Sequence, residues 1–452
     1  MDNITNIIIK HLEPSLTELL HEVYNFCYLN SYFPTRWKEA KVIMIYKNKG
    51  KKEDHNNYRP ISLLPQFGKI FVRLMTDKIT NWSNMTNLFN TEQSGFRKNR
   101  STNDHLYLLT QYISEGFNKK LQTDSIFRDF EKCFDKVWTK GLIYKLFHLG
   151  IPRKDVLLIK NFLEGRKFFV NVRGNISNMC YPESGLPQGS CLSPLLFILF
   201  VCDISKLENV RISQFADDIS IYTHVRKGTC QAGYNRDLQK ALDIFSRWCN
   251  KWNLKINTNK TKLVSFTKRK TINNLYDINN ENIERVSSIK FLGIEFDSKL
   301  NFNNHIKNVI NHTFKGKQIL SEMNRKSYQN INIEAKRNIY LSIIRSIMEY
   351  GAPSLLTLSK QNLQKLEINQ NKCLRLIQNR DKTTSIKILL TLTGIKTLEE
   401  RLLNLSKSWY NKSITHPNHI IHKHAPITCS VPHFIYFSFC KIYLFFFCKH
   451  GS

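Results

Sequence analysis

Acidic residues are scarce in this chain: 36 Asp and Glu stand against 67 Lys and Arg across 452 residues, a formal charge of +31. The excess runs along the whole length, which points to a polyanionic partner, nucleic acid being the usual one. Cysteine pairing motifs are missing. The eleven cysteines form no Cys-x-x-Cys and no regular framework, which excludes a disulfide-stapled secreted scaffold and reads as reduced thiols of an intracellular protein. Met1-Asp2 opens without a basic segment leading into an apolar one, so no secretory leader is expected and the start reads as internal to something longer. Long apolar runs are nearly absent too. The one candidate, Val431 to Cys448, is interrupted by Lys441 and falls short of the ~20 residues that a spanning helix needs. No membrane partner is therefore expected, and 413–452 reads as a disordered or non-native tail. His416, His419, His422 and His424 cluster there, but without paired cysteines they make a poor zinc site.

What is present suffices for ordinary cores: 42% hydrophobic and 12% aromatic residues, in a length that suits two or three domains. Leu16, Leu19, Leu20, Val23 and Cys27 recur at helical spacing after Pro14, which suits a first turn, so a helix is expected from Pro14 to Asn30. Val42 to Ile45 reads as a strand, followed by the basic loop Lys47 to Lys52. Tyr58 to Leu64 leads into a helix through Ile70, Phe71, Leu74 and Met75. Leu106, Leu109, Ile113 and Phe117 mark another helical face, and Ser125 to Phe130 a buried strand. Gly174-Asn175, flanked by Phe168 to Arg173 and Ile176 to Tyr181, is the strongest hairpin signal. A helix from Leu195 to Val201 follows. Leu238, Leu242, Phe245, Trp248 and Trp252 make a packing stripe. Leu263 to Thr267 and Ile289 to Phe296 read as strands, the latter with a glycine where another backbone approaches. Beyond Asn301 the chain becomes helical and basic, near 303–325, 333–349, 360–379 and 397–411.

The stretch that organises the rest is Ile212 to Tyr222, two short apolar runs around Asp217 and Asp218. Adjacent carboxylates at a hairpin turn repel unless a cation is held there, and magnesium prefers such oxygens. Taken alone, the pair reads as a solvated turn sooner than as a metal site. Gly95 sits in a second cluster, beside Arg97, Lys98 and Arg100 before a helix start, where phosphates are readily held. A solvated basic loop would look the same.

In order, these pieces resemble the reverse transcriptases of non-long-terminal-repeat retrotransposons, in particular the jockey-like elements. Phe215-Ala216-Asp217-Asp218 is similar to that family's paired-aspartate hairpin, and Asp129 with Phe134 to its first catalytic strand. Gly185-Leu186-Pro187-Gln188-Gly189-Ser190 with Leu192-Ser193-Pro194 resembles its substrate and template segment. Tyr58 to Ser62 and Gly95-Phe96-Arg97 resemble its fingers, and Phe291-Leu292-Gly293 its primer grip. The resemblance implies an α+β, right-hand polymerase fold: fingers and palm with an antiparallel sheet, then an all-helical thumb. It suggests a helical extension over 1–32, fingers over 33–124, palm over 125–270, a primer-grip region over 271–300, and thumb with connection over 301–412.

It also implies RNA-directed DNA polymerase activity, with two Mg²⁺ (or Mn²⁺) ions held by Asp129, Asp217 and Asp218. Such ions, about 4 Å apart, activate the primer hydroxyl and hold the triphosphate. Lys260, in Asn257-x-x-Lys260, resembles the lysine that protonates pyrophosphate, and steering phosphate is an equal reading. Arg97 and Lys98 would neutralise the triphosphate. Phe134 would close the sugar pocket against a ribose hydroxyl, and Gln188 and Gly189 would approach nucleotide and template. Partners implied are an RNA template, a DNA primer, deoxynucleoside triphosphates and an element-encoded RNA-binding protein, in cytoplasmic ribonucleoprotein and nucleus. An intron maturase or a telomerase shares the palm architecture, but Tyr58 to Leu64 and Gly185 to Pro194 favour the jockey-like reading.

There are departures. Arg128 stands where the family has an apolar residue, and alternation points it into the packing behind the sheet. Unpaired there, it would cost several kcal/mol, so it must find a carboxylate, reach solvent, or mark a copy that has begun to decay, the alternative reading being a decayed copy that acts only as an RNA-binding protein. Ser94 and Cys191 are milder substitutions. No endonuclease sequence is recognisable, so the chain reads as a truncated copy.

Overall fold

The computed structural model describes residues 4–48, 50–204, 209–225, 236–325, 331–416 and 419–424. The apolar stretch Val431 to Cys448 lies outside them. Among the described residues no helix is long and apolar enough to cross a membrane.

The chain opens with helices α1 (Asn6–Lys10) and α2 (Pro14–Leu29), strands β1 (Glu39–Tyr46) and β2 (Tyr58–Leu63), and helices α3 (Gln66–Met85) and α4 (Thr102–Asn118). Strand β3 (Gln122–Arg128), helices α5 (Thr139–His148) and α6 (Arg153–Leu163), strands β4 (Lys167–Val172) and β5 (Asn175–Ile176) and helix α7 (Leu192–Phe200) follow. Next come the hairpin β6 (Arg211–Phe215) and β7 (Asp218–Val225), helix α8 (Arg236–Lys251) and strand β8 (Lys262–Phe266). Short strands β9 (Asp277–Ile278), β10 (Glu281–Asn282) and β11 (Glu284–Arg285) precede the hairpin β12 (Ser288–Phe291) and β13 (Ile294–Asp297). Thereafter the described chain is helical: α9 (Asn303–His312), α10 (Phe314–Glu322), α11 (Ile333–Ile339), α12 (Ser346–Glu349), α13 (Ala352–Leu355), α14 (Lys360–Gln378), α15 (Ile386–Thr393), α16 (Leu398–Ile414) and α17 (Ile420–His424).

Two sheets position the site. One has the order β2-β1-β4-β5, and the other the order β11-β8-β3-β7-β6 with β3 antiparallel to both neighbours. Because side chains alternate along a strand, β3 feeds two cores. Ile126 packs with Leu142, Phe197, Phe245 and Leu263 on one face, and Phe127 with Leu106, Leu109, Val264 and Phe291 on the other. The central strand is therefore buried along its whole length, and its end is a rigid place from which to present a side chain.

Several details differ from the sequence pattern. The hairpin turn is centred on Arg173-Gly174, with φ of 51° and 91°, and Asn175 pairs with Val172. A two-residue turn of this hand needs positive φ at both positions, and glycine takes the second. The run Ile289 to Phe296 is a hairpin turning at Leu292-Gly293; a Cβ on Gly293 would lie 2.7 Å from the Tyr350 ring. Of the stripe on α2, Cys27 is buried and Leu20 half-buried, but Leu16, Leu19 and Val23 face outward. A π-helical segment, Tyr340–Arg345, interrupts the helix expected near 333–349, and α15 was not foreseen.

Part of the histidine-rich segment lies within the described residues. His419 is buried, 3.5 Å from the Asp104 carboxylate, which also accepts a hydrogen bond from the Trp409 indole at 3.0 Å. Tyr107, Leu108, Tyr410, Ile420 and Ile421 close around this latch. Burial holds His419 down at about 4, so the ring is neutral. Among the described residues no cluster of His, Cys, Asp and Glu forms a metal cage, and His419 is engaged with Asp104.

Candidate active site

β3 and β7 pair with Arg128 opposite Ile219, so the residues that follow on one strand and precede on the other meet: Asp129 and Asp218. The β6–β7 turn consists of Ala216 and Asp217, flanked by the pair Phe215 and Asp218; Asp218 thus heads a strand instead of sitting in the turn. Asp129 and Asp217 line one tight crevice with Arg128, Phe130, Ile219, Phe245 and Ile256. Ala216 takes a φ of 56°, a conformation costing about 1–2 kcal/mol for a residue with a Cβ.

The electrostatics show that these carboxylates share a site. Burial, then repulsion from Asp217 and Asp129, pushes Asp218 up to about 6, although its side chain still reaches solvent. Asp217 is raised as well, by burial first and by Asp129, against stabilising hydrogen bonds from its backbone and the Cys133 thiol. Asn257 caps the 3-10 turn Thr258–Lys260, accepting from the Lys260 amide at 3.2 Å, and its own amide donates to the Asp129 carbonyl at 3.0 Å. That turn brings the Lys260 ammonium to 2.6 Å from the Asp129 carboxylate. Asp129 is therefore directed at a cation. Three neighbouring carboxylates, two of them raised by burial and crowding, are a donor set whose chemistry suits a hard divalent ion such as magnesium, although as they stand they do not close into a metal cage among the described residues.

The other predicted residues fall into two groups. Phe134 is half-buried, 6.3 Å from the exposed Phe96 ring and 5.1 Å from Phe197. Its carbonyl accepts from Leu186, and the Gln188 side chain donates to Asp135 at 2.8 Å. The carbonyl of Gln188 accepts from Ser62 on β2. Gly189 has a φ of 113°, and a Cβ there would meet the Ser62 carbonyl at 2.6 Å, so close packing of two segments already demands glycine. Arg97 turns inward. Its guanidinium donates to the carbonyls of Asn90 and Gln93 and lies 5.0 Å from the centre of the Phe89 ring, with burial lowering its pKa to about 10. Lys98 is exposed. The structure thus collects Asp129, Asp217, Asp218 and Lys260, joins Phe134 to Gln188 and Gly189 through the residues between them, and gives Arg97 a bracing role in its loop.

Cys133, Asp135 and Gln93 were missed. Cys133 and Asp135 flank Phe134 in the chain, but contact with Asp217 and Gln188 is made across long sequence distances that no local pattern encodes. Arg128 is packed against α8, 5% exposed, its guanidinium 3.6 Å from the centre of the Phe245 ring. None of its three nitrogens has a hydrogen-bond partner among the described residues.

Residues 48–296 match the family model described as reverse transcriptase (RNA-dependent DNA polymerase). The chain is 31% identical to the RNA-directed DNA polymerase from mobile element jockey of Drosophila melanogaster, over 93% of this chain and 46% of that protein. It is also 31% identical to the probable RNA-directed DNA polymerase from transposon BS of the same organism, over 83% of this chain and 42% of that one. The chain thus spans less than half the length of these curated relatives. Telomerase from Candida albicans, solved in complex with a fragment of telomeric RNA, superposes with a TM-score of 0.41 at 12% identity, covering 90% of this chain and 70% of that one. With a family match over more than half its length, and the paired aspartates lying inside it, the chain belongs to the reverse transcriptase family.

Proposed function

We propose that this chain extends a DNA primer on an RNA template, joining deoxynucleoside triphosphates one at a time. The observation that carries the reading is the meeting of Asp129 with Asp217 and Asp218 at the end of a fully buried strand, the carboxyls of Asp217 and Asp218 held above the usual range. Two divalent ions, magnesium or manganese, would supply activation of the primer hydroxyl and neutralisation of the triphosphate, with Asp129, Asp217 and Asp218 to hold them. Lys260, already paired with Asp129, is placed to hold or deliver a proton on the pyrophosphate side. Phe134, facing Phe96, walls the sugar; Gln188, fixed by Asp135, and Gly189 form the floor. Lys98, free to reach outward, steers phosphates, with Arg97 shaping its loop. On this reading, 33–124 serve as fingers, 125–270 as palm and 271–300 as primer grip. The basic helices of 301–412 hold the template–primer duplex by its backbone. An element-encoded RNA-binding protein and a path from cytoplasmic ribonucleoprotein to nucleus complete the proposal.

Primer extension on an RNA template, with Asp217→Asn as control, is the test. Extension by the unmodified chain and none by the variant supports the polymerase. Extension by neither, with RNA binding retained, assigns binding alone.

A further inference from the structure

The catalytic turn contains no glycine, yet Ala216 holds a φ of 56°. Such a conformation persists only where its surroundings over-determine it, and one side chain from a distant segment does so. The amide of Gln93, 2% exposed, grips the turn from both sides. Its Oε1 accepts from the Ala216 amide at 2.9 Å and from the Gly95 amide at 2.8 Å, and its Nε2 donates to the Ala216 carbonyl at 3.3 Å. The grip is itself anchored. Gln93 pairs in parallel with Gln214 on β6, Ser94 donates to the Gln214 carbonyl and Gln214 to that of Glu92. Arg97 holds the Gln93 carbonyl at 3.2 Å. Gly95 is obligatory beside it, since a Cβ would lie 2.3 Å from the Ala216 nitrogen.

We infer that Gln93 is a positioning residue for the catalytic carboxylates: by fixing the peptide of Ala216 it sets where Asp217 and Asp218 point. The basic loop that follows Gln93 and the acid-bearing turn are then one mechanical unit, so nucleotide contacts in the loop and the geometry of the acids are linked through this amide. The inference deepens the polymerase reading and rests on it for its catalytic consequence.

The test compares Gln93→Met, which keeps the volume and removes all three hydrogen bonds, with Gln93→Glu, which keeps the acceptor. Hydrogen exchange in the full chain reads the grip without any need for activity. In Gln93→Met the amides of Ala216 and Gly95 should exchange roughly 10-fold faster, and in Gln93→Glu they should stay protected. Displaced acids should lower kcat for primer extension by about 100-fold, with the nucleotide KM shifted by less than about 3-fold. Ala216→Gly accepts the positive φ without strain, so the loss caused by Gln93→Met should shrink in that background, an interaction a merely structural residue would not show. Unchanged exchange at both amides in a folded Gln93→Met chain overturns the inference, as does a kcat within 2-fold of the unmodified chain's. Should Gln93→Met not fold, fast exchange at Ala216 in Gln93→Glu does the same. An unmodified chain that fails to extend primers while its exchange follows this pattern sinks the polymerase reading and leaves the grip standing.

Discussion

Arg128 and Asp129 are neighbours in the chain and opposites in circumstance. Asp129 follows the last residue of β3, the central strand, where a cation already meets it and two further acids crowd close. Arg128, one step back, is driven by strand alternation into the packing between sheet and α8, where it finds a ring face and, among the described residues, no hydrogen-bond partner. Charge at the strand's end is paired with an ammonium; charge one residue earlier is merely endured. The difference teaches that a charge on this strand is settled by its own partner: Asp129 has Lys260 and Asp124 has Gln122, Asn274 and Tyr276, whereas Arg128 has a ring face.

The comparison breaks most sharply on the acid side. Asp217→Asn removes one of the three carboxylates and should lower extension by about 10³-fold or more, as loss of a metal-holding acid does; a rate within 10-fold of the unmodified chain would contradict the assignment. Lys260→Ala tests whether the cation beside Asp129 takes part in transfer: about a 100-fold loss of kcat is expected of a proton donor. A change under 3-fold would reduce it to an exposed ion pair.

On the other face, Arg128→Leu should stabilise. The lost contact with Phe245 is worth about 1 kcal/mol, against several kcal/mol for an unpaired buried charge, so a net gain of about 1–3 kcal/mol and a higher soluble yield are expected. An unchanged melting temperature would mean that the ring alone satisfies the guanidinium. The smallest effect concerns Asp218. Its folded-state carboxyl titrates at about 6 against an ordinary 3.8, so the folded chain binds that proton more tightly than the unfolded one. The stabilisation this gives is complete below the ordinary value and is lost as pH rises through about 6. Without divalent ions, Asp218→Asn should remove that slope and raise Tm at pH 7 by about 1–2 °C. A slope that survives the substitution argues against a shared acidic site.

Much of the site was legible because its chemistry needs particular residues at short spacing: Phe215 to Asp218, Gly185 to Ser190, and Asn257 with Lys260. The strands and the long helices followed from periodicity, α4 and α8 most clearly. What was not legible is long-range. Nothing near Gln93 says that its amide will meet residue 216, and nothing near Asp135 announces Gln188. Turn registers slipped by one at Arg173-Gly174, since either of two adjacent residues could carry the positive φ. For α2, spacing announced an apolar stripe, but which face is covered depends on what packs against it. Burial of Tyr24 and Cys27 and exposure of Leu16 and Leu19 could not be read from the helix itself.

The latch between Asp104 and Trp409 has a consequence in time. Its two halves lie 305 residues apart in the chain, and at roughly 5–20 residues per second of synthesis the first half waits about 15–60 s for the second. Until then the carboxylate that caps α4 lacks its indole partner, and Tyr107 and Leu108 await the apolar residues that will cover them. The first turn of that helix therefore stays incomplete until Trp409 has been made.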